Sequence, residues 1–247
     1  MSTQWDAQTY HRISDVQQTW AERVLDRLPL GGDETVLDAG CGSGAVTAQL
    51  LERLPRGHVI AVDASQEMVD HARAALGERA TVLRADLAEL ELDAPVDAVF
   101  SNAVFHWIPD HDALFRHLRA ALKPGGRLVA QCGGKGNIAR FSEIADAVAR
   151  EAPYAAHFEG LGAPHHFEDV PATEARLRAA GFEDVRVWLE PAPVTPGEPG
   201  PFIQAVCLRC YVERLPDALV APFVDTVLGR LGDPPVLDYV RLNIDAA

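Results

Sequence analysis

Three acidic residues, Asp38, Asp63 and Asp86, each follow or end a short apolar run, and glycines follow the first of them. These glycines are Gly40, Gly42 and Gly44. Glycine allows left-handed backbone and a close approach by a ligand. The apolar helical pattern that begins at Ala45 would present unpaired N–H groups to the same turn. The turn is therefore expected to hold a polar or anionic group, and Asp63 stands where an acidic group binds ribose hydroxyls.

The glycine spacing alone does not identify that ligand. Gly40, Gly42 and Ala45 also satisfy the dinucleotide fingerprint G-x-G-x-x-G/A. A dinucleotide-dependent oxidoreductase is therefore one alternative at this point. It is disfavoured because no Tyr/Lys or similar hydride-transfer pair follows the fourth predicted strand.

Four ordered motifs resemble those of the class I S-adenosylmethionine (SAM) dependent methyltransferases. Residues 38–44 (DAGCGSG) resemble the first motif, and residues 62–65 (VDAS) with Met68 resemble the second. Residues 84–87 (RADL) resemble the segment that contacts adenine, and residues 122–126 (LKPGG) resemble the turn before the fifth strand. The resemblance implies SAM as cofactor, S-adenosylhomocysteine as product and no metal. The residues that it implies for cofactor binding are Asp38, Gly40, Cys41, Gly42, Asp63, Ala64, Met68, Asp86, Leu87, Asn102 and Ala103.

The loop after the fourth predicted strand, residues 101–111 (SNAVFHWIPDH), closely resembles the trans-aconitate methyltransferase group. Trp5 followed by Tyr10 resembles the opening of the same group, and we predict Tyr10 and His11 as active-site residues on a lid. His106 stands where the group commonly has Gln. It is expected to orient the substrate, to accept a proton near neutral pH, or only to hydrogen-bond near the cofactor. Residues 131–137 (QCGGKGN) depart from the group, whose loop there carries aromatic and proline residues.

Alternating patterns predict the elements that would position these residues. Strands are predicted near 35–38, 58–62, 80–84, 96–101 and 126–132, and helices near 44–54, 65–77 and 110–122. Such alternation predicts a parallel sheet with helices on both faces, whose loops after the strands meet along one edge. The fold class is α/β, Rossmann-like and doubly wound. From the family we expect seven strands, the last antiparallel, plus a helical cap.

The rest of the chain gives weaker patterns. An amphipathic helix is predicted over 5–28, and further helices over 138–151, 173–180, 202–214 and 217–231. Strands are predicted over 183–189 and 236–243, separated by a Pro/Gly-rich loop at 191–201. We expect one domain over 1–247. Its parts are a lid at 1–30, a SAM-binding core at 31–135 and a C-terminal part at 136–247 with cap helices near 200–232.

Composition limits the partners. The 247 residues include 36 acidic and 22 basic residues, a formal net charge of −14. This charge argues against nucleic acid or an anionic membrane as a partner. No apolar run approaches the roughly 20 residues that span a bilayer, and residues 1–6 lack the features of a secretory signal, so a cytoplasmic location is expected. The expected oligomeric state is a monomer or a homodimer. Cys207 and Cys210 are interpreted as buried thiols, and His165 with His166 as non-metal residues.

The sequence therefore predicts a SAM-dependent methyltransferase of a small anionic metabolite, with O-methylation of a trans-aconitate-like carboxylate as the first expectation. A carbon methyltransferase of a prenyl diphosphate, or another oxygen, nitrogen or carbon methyltransferase of natural products, would use the same core. A noncatalytic SAM-binding regulator is a third class. Basic residues considered for substrate binding are Arg12, Arg23, Lys135, Arg140, Arg209 and Arg214.

Overall fold

The computed structural model describes residues 15–160, 162 and 165–247. The α-helices span Asp15–Arg27 (α1), Ala45–Glu52 (α2), Gln66–Leu76 (α3), His111–Ala121 (α4), Ala139–Ala149 (α5), Val170–Ala179 (α6), Pro199–Phe202 (α7), Arg209–Val212 (α8) and Asp217–Leu231 (α9). The strands span Thr35–Ala39 (β1), His58–Asp63 (β2), Ala80–Arg84 (β3), Val96–Asn102 (β4), Leu122–Gly133 (β5), Arg186–Pro191 (β6) and Val240–Ala246 (β7). Among the described helices, none has the length and apolar character that crossing a membrane requires.

The seven strands form one sheet in the order β3-β2-β1-β4-β5-β7-β6. Strands β1 to β5 pair in parallel, and β7 pairs antiparallel with β5. The predicted fold class is confirmed. Because parallel strands end on the same side, the loops after β1, β2, β3, β4 and β5 meet along one edge, which is where doubly wound sheets bind ligands.

Successive residues of the strands point into two hydrophobic cores on opposite faces of the sheet. Val36 packs into the core that contains residues of α1, α2 and α3. Leu37 packs into the other core, which contains residues of α4 and α6. This period of two is the reason that the central strands are apolar at almost every position. The helices thus cover both faces, as the alternating sequence pattern predicts.

The chain separates into two compact units. The first consists of Gln17–Lys135, His165–Glu190 and Arg241–Ala247, and it holds the central strands. The second includes Gly136–Pro164 and Pro191–Val240. Within the second unit, Arg230 forms an ion pair with Glu151, and Tyr211 Oη donates a hydrogen bond of 2.6 Å to Asp146.

Two predictions for the C-terminal part need correction. The single helix expected over 202–214 is interrupted: α7 leads into a π-helical segment, Ile203–Cys207, before α8 begins. The π-helical hydrogen bond runs from Leu208 N to Ile203 O over 2.8 Å, and Leu208 then leaves helical geometry. The last strand begins later than expected, at Val240, because Leu237 instead forms an isolated bridge with Val194.

Candidate cofactor and acceptor site

The glycine turn after β1 is held against β2. Gly40 N and Cys41 N both donate to Val62 O, over 2.8 and 2.9 Å. Gly40 and Gly42 have positive φ angles of 89° and 54°. A Cβ on Gly40 would lie 2.2 Å from Val104 Cγ2, whereas a Cβ on Gly42 would meet no described atom within 4 Å. Gly40 is therefore needed for packing, and Gly42 lies beside open space that a ligand can enter.

Asp63 ties this turn to the loop after β2. Its Oδ2 accepts a hydrogen bond from Gly42 N at 3.0 Å, and its Oδ1 accepts one from Ser65 N at 2.9 Å. The carboxylate is half-buried. Both of its oxygens thus have backbone donors, which fix the carboxylate at the edge of the sheet.

Asp38 is buried beneath the turn. Its Oδ2 accepts a hydrogen bond of 2.6 Å from Thr47 Oγ1 on α2. The pKa of Asp38 is raised to about 7, mainly by burial and also by the negative charge of Asp63, while the Thr47 hydrogen bond opposes both effects. Burial, together with the charges of Asp38 and Asp63, also raises the pKa of the Cys41 thiol, so this thiol is protonated. The turn is therefore flanked by two carboxyl groups and favours a ligand with positive charge.

The other predicted cofactor residues lie in the next two loops. Ala64 is exposed, and its carbonyl accepts from Arg84 Nε at 3.2 Å. Met68 is half-buried near the start of α3. Asp86 is exposed, and its Oδ1 accepts from Ala88 N at 2.9 Å. Leu87 is buried in the hydrophobic core, so its backbone and not its side chain is available to a ligand.

Asn102 ends β4, and Ala103 follows it at the same edge. Ala103 has a positive φ of 63°, and its N donates to Gln131 O over 2.7 Å. This strained conformation is costly for a residue with a Cβ and is often found at functional sites. Asn102 Oδ1 is buried and has no hydrogen-bond partner among the described residues. Such an oxygen favours a ligand that donates a hydrogen bond.

His106 lies in the loop after β4 and is buried. Its Nδ1 accepts a hydrogen bond of 3.2 Å from Gly133 N, so the neutral ring carries its proton on Nε2. Burial, and then the positive charge of Arg241, lower the pKa of His106 well below its ordinary value. The ring lies beside Trp107, His165 and Phe167, with centroids 5.3 to 5.8 Å away. At neutral pH, His106 is therefore a hydrogen-bond donor through Nε2.

The other histidines have local partners. His111 is buried, its Nε2 is 2.9 Å from Phe105 O, and its ring contacts Phe115, as expected for a structural residue. His166 N donates to His106 O over 2.8 Å. Among the described residues, no group of three or more His, Cys, Asp or Glu side chains could hold a metal ion. Tyr10 and His11 lie outside the described residues.

Sequence reasoning missed a polar row on the face of the sheet that α1 covers. In-register pairing joins Asn102 to Gln131 and Gln131 to Asn243, so the three side chains share one face. Gln131 Nε2 donates to Asn243 Oδ1 at 2.9 Å, and Arg241 Nε donates to Gln131 Oε1 at 3.2 Å. The available signal was alternation, because Arg241 and Asn243 alternate with Leu242 and Ile244 in an apolar segment.

The basic residues proposed from the sequence are mostly engaged by the protein. Lys135 lies 3.1 Å from Asp169, Arg209 lies 2.7 Å from Glu213, and Arg23 lies 3.6 Å from Glu190. Arg140 donates to Leu231 O over 3.1 Å. Arg12 is outside the described residues. Arg214, the fifth described residue of the set, donates its backbone N–H to Tyr211 O over 3.1 Å. None of these contacts assigns one of the five residues to substrate binding.

Known proteins are similar to this chain in sequence and in fold. The family model described as "Methyltransferase domain" matches residues 36–126. A trans-aconitate 2-methyltransferase of Azoarcus sp. (strain BH72) is 44% identical over 127 residues, which cover 51% of this chain and 50% of that protein. The chain thus matches only half the length of that relative. One from Deinococcus radiodurans is 30% identical over 234 residues, which cover 92% of this chain and 90% of that protein.

A similar solved structure is phosphoethanolamine N-methyltransferase 2 of Haemonchus contortus, in complex with phosphomonomethylethanolamine and S-adenosylhomocysteine. The TM-score is 0.63 at 19% identity, and the alignment covers 97% of this chain and 56% of that one. At this identity, the likeness shows a common fold.

Proposed function

Because this chain belongs to the class I SAM-dependent methyltransferases, in the group of the trans-aconitate 2-methyltransferases, we propose that it methylates a carboxylate of a small anionic metabolite. The proposed acceptor is trans-aconitate or a closely related polycarboxylate. The support is similarity to the Deinococcus radiodurans enzyme over 90% of that protein's length. A small-molecule acceptor also suits the net charge of −14, which disfavours nucleic acid as a partner.

The observation that carries the cofactor assignment is the pair of carboxyl groups around the glycine turn. A dinucleotide would bring an anionic diphosphate to this turn. Here Gly42 N already donates to Asp63, and Asp38 lies buried below the same turn. Asp63 thus occupies a backbone N–H that a diphosphate would need, and the Asp38 carboxyl repels an anion when it is ionised, so the turn favours SAM over a dinucleotide.

We assign the cofactor-binding roles by position along the edge. Asp63 would accept from ribose hydroxyls, and the loop of Asp86 and the Leu87 backbone would border adenine. Gly40, Cys41 and Gly42 would contact the cofactor through the backbone of the turn. Asn102 Oδ1, which lacks a described partner, would accept from a donor of the amino-acid moiety. When bound, SAM would supply the methyl group from its positively charged sulfur, and S-adenosylhomocysteine, a neutral thioether, would be the leaving group.

The chain's own residues then need to bind, orient and exclude water, because a carboxylate nucleophile requires no base. His106 suits an orienting role better than a proton-accepting one. The Nδ1 lone pair already accepts from Gly133 N, and the lowered pKa keeps the ring neutral. We therefore propose that His106 donates a hydrogen bond from Nε2 toward the acceptor. Tyr10 and His11 remain predictions as active-site residues of an N-terminal lid over residues 1–30.

The remaining assignments also stay proposals. We retain one methyltransferase domain over 1–247, with a SAM-binding core at 31–135 and a C-terminal part at 136–247 that includes the expected cap helices near 200–232. A cytoplasmic location and a monomeric or homodimeric state are among these proposals.

The test combines calorimetry with turnover. Purified protein is titrated with S-adenosylhomocysteine and, in parallel, with NADH. Product is then measured with labelled SAM and trans-aconitate. We expect micromolar binding of S-adenosylhomocysteine, no binding of NADH and formation of a methyl ester. Binding of NADH alone would revive the oxidoreductase alternative, and cofactor binding without turnover of any polycarboxylate would refute the proposed acceptor class.

The variant Asp63→Ala tests where the cofactor binds. Asp63→Ala is expected to weaken S-adenosylhomocysteine binding by about 10- to 100-fold, because a charge-assisted hydrogen bond is lost. Asp26→Ala is the matched control, since Asp26 is an exposed aspartate paired with Arg53. Equal affinities of the two variants would refute the role of Asp63.

A further inference from the structure

Arg241 is a buried cation at the edge of the sheet where the ligand loops meet. It is only 3% exposed. In β7 it pairs with Gly133, the last residue of β5. Because β7 runs antiparallel to β5, the start of β7 lies at the carboxyl end of the parallel strands. Arg241 therefore stands beside the loops that carry Asn102 and His106.

Two contacts hold the guanidinium in a defined plane. Its Nε donates to Gln131 Oε1 over 3.2 Å. Its central carbon lies 4.5 Å from the centroid of the Trp20 ring, a cation–π geometry. Gln131 is fixed in turn by a 2.9 Å hydrogen bond to Asn243. A preorganised guanidinium of this kind loses little side-chain entropy when it binds an anion.

Gly133 connects Arg241 to His106. Gly133, which pairs with Arg241, donates its N–H to His106 Nδ1. The positive charge of Arg241 adds to burial in lowering the pKa of His106, and it opposes the burial that raises the pKa of Cys132. The polar row that begins at Asn102 continues through Gln131 to the same guanidinium. A cation, a neutral imidazole and carboxamide groups thus converge at the end of β4 and β5.

We propose that Arg241 binds a carboxylate of the methyl acceptor and thereby selects polycarboxylates. This inference rests on the proposed function. Arginine presents its N–H donors in a planar fork that matches a carboxylate in bidentate geometry. The buried position strengthens the interaction because water competes less with it.

The bound carboxylate is not the one that is methylated. A carboxylate that forms an ester loses its negative charge, so a guanidinium bound to it would stabilise the reactant more than the transition state. Arg241 therefore holds a second carboxylate of the same molecule and leaves the reacting one oriented by neutral donors such as His106. Arg241 is thus a substrate-binding and specificity-determining residue, and its removal should act mainly on KM.

The experiment measures initial rates at saturating SAM against the concentration of trans-aconitate. The proteins are the wild type, Arg241→Met, Arg241→Lys and the control Arg53→Met, whose arginine is partly exposed and pairs with the exposed Asp26. For Arg241→Met we expect KM to rise at least about 10-fold, from loss of a charge-assisted hydrogen bond, with kcat changed less. The KM of Arg241→Lys should lie between those of the wild type and Arg241→Met, because lysine keeps the positive charge but lacks the planar pair of N–H donors. The Kd of S-adenosylhomocysteine should stay within about two-fold in every variant, because Arg241 is assigned to the acceptor.

A second comparison separates binding from a structural role. Unsaturated dicarboxylates that each lack one carboxylate of the acceptor are assayed with the wild type and Arg241→Met, and with Arg241→Lys if the Met variant does not fold. The wild type should prefer the tricarboxylate over at least one of them, and the variant should lose that preference. An unchanged KM, or an equal loss for all acceptors together with weaker S-adenosylhomocysteine binding, would overturn the assignment. If the wild type binds S-adenosylhomocysteine but methylates no polycarboxylate, the proposed function fails and this inference fails with it.

Discussion

His106 shows how a single hydrogen bond can decide between two chemical roles. The sequence left it as a proton acceptor, an orienting residue or a bystander. In the structure, Gly133 N occupies its Nδ1 lone pair, and burial lowers its pKa. Both facts favour a neutral ring that donates from Nε2. The alternatives can be separated because glutamine mimics the donor and acceptor but cannot act as a base.

We predict that His106→Gln retains turnover within about three-fold, because an amide oxygen can accept from Gly133 N and the amide nitrogen can donate in place of Nε2. His106→Leu is the contrasting variant. It leaves the buried Gly133 N–H without a partner, which should lower the free energy of unfolding by about 1–3 kcal/mol and impair turnover. Steady-state kinetics and urea denaturation measure both. A collapse of kcat in His106→Gln with substrate and cofactor affinities intact would restore the proton-transfer role.

Asp38 makes the stability of the protein depend on pH. The folded-state pKa is raised from 3.8 to about 7, mainly by burial. A group with a raised folded pKa favours the fold most below its unfolded pKa. Its contribution is lost as pH rises from about 4 to about 7, because the buried carboxylate must ionise at a cost in free energy.

We predict that Asp38→Asn removes this dependence. Relative to the wild type, the variant should gain stability between pH 5 and pH 8 by an amount on the order of 2 kcal/mol. Urea denaturation of both proteins at the two pH values measures the difference. The exposed Asp26→Asn variant serves as control and should follow the wild type. Parallel curves for Asp38→Asn and the wild type would contradict the raised pKa.

The glycine turn is the element on which the rest of the site depends. Within it, Gly40 and Gly42 have different roles. At Gly40 a Cβ would clash with Val104, whereas at Gly42 it would enter open space within the described structure. Both residues have positive φ, so alanine is strained at each. Packing and ligand binding can therefore be tested with the same substitution at two neighbouring positions.

We predict that Gly40→Ala lowers the free energy of unfolding by about 2–4 kcal/mol, from backbone strain plus overpacking against Val104. Gly42→Ala should cost only about 1–2 kcal/mol, since it adds strain without a clash. Gly42→Ala should nevertheless weaken S-adenosylhomocysteine binding at least about 10-fold, because its methyl group occupies the ligand's space. Urea denaturation and calorimetry report the two quantities. Normal affinity in Gly42→Ala would exclude the turn as the cofactor site.

The elements that sequence predicted well are those whose pattern is local. Strands β1 to β5 and helices α2 to α4 follow periodic apolar residues, and their topology places Asp38, Asp63 and Asn102 at one edge. Arg241 was not found because its role depends on pairing with Gly133, more than 100 residues earlier. Antiparallel pairing across that separation leaves no local signal. The interrupted helix at 199–212 was missed for a related reason, since a π-helical bond has no sequence period of its own.

At the scale of the whole molecule, charge opposes the proposed substrate. The chain carries a formal net charge of −14, yet the proposed acceptor is a polyanion. Long-range repulsion slows the encounter, while the buried Arg241 attracts the acceptor only at short range. The two effects respond differently to salt. The Debye length falls from about 30 Å at 0.01 M to about 8 Å at 0.15 M, so the distant charges are screened far more than a buried contact.

We therefore predict that raising NaCl from 10 to 150 mM increases kcat/KM for the tricarboxylate several-fold, because screening removes more repulsion than attraction. SAM carries a net positive charge and is attracted by the acidic chain. Its KM should therefore rise with salt, by a smaller factor. The Kd of S-adenosylhomocysteine, which has no net charge, serves as the control and should stay constant. Repeating the series with choline chloride separates screening from a specific effect of sodium. A fall of kcat/KM for the tricarboxylate would mean that positive groups around the site outweigh the acidic surface, and would contradict this account.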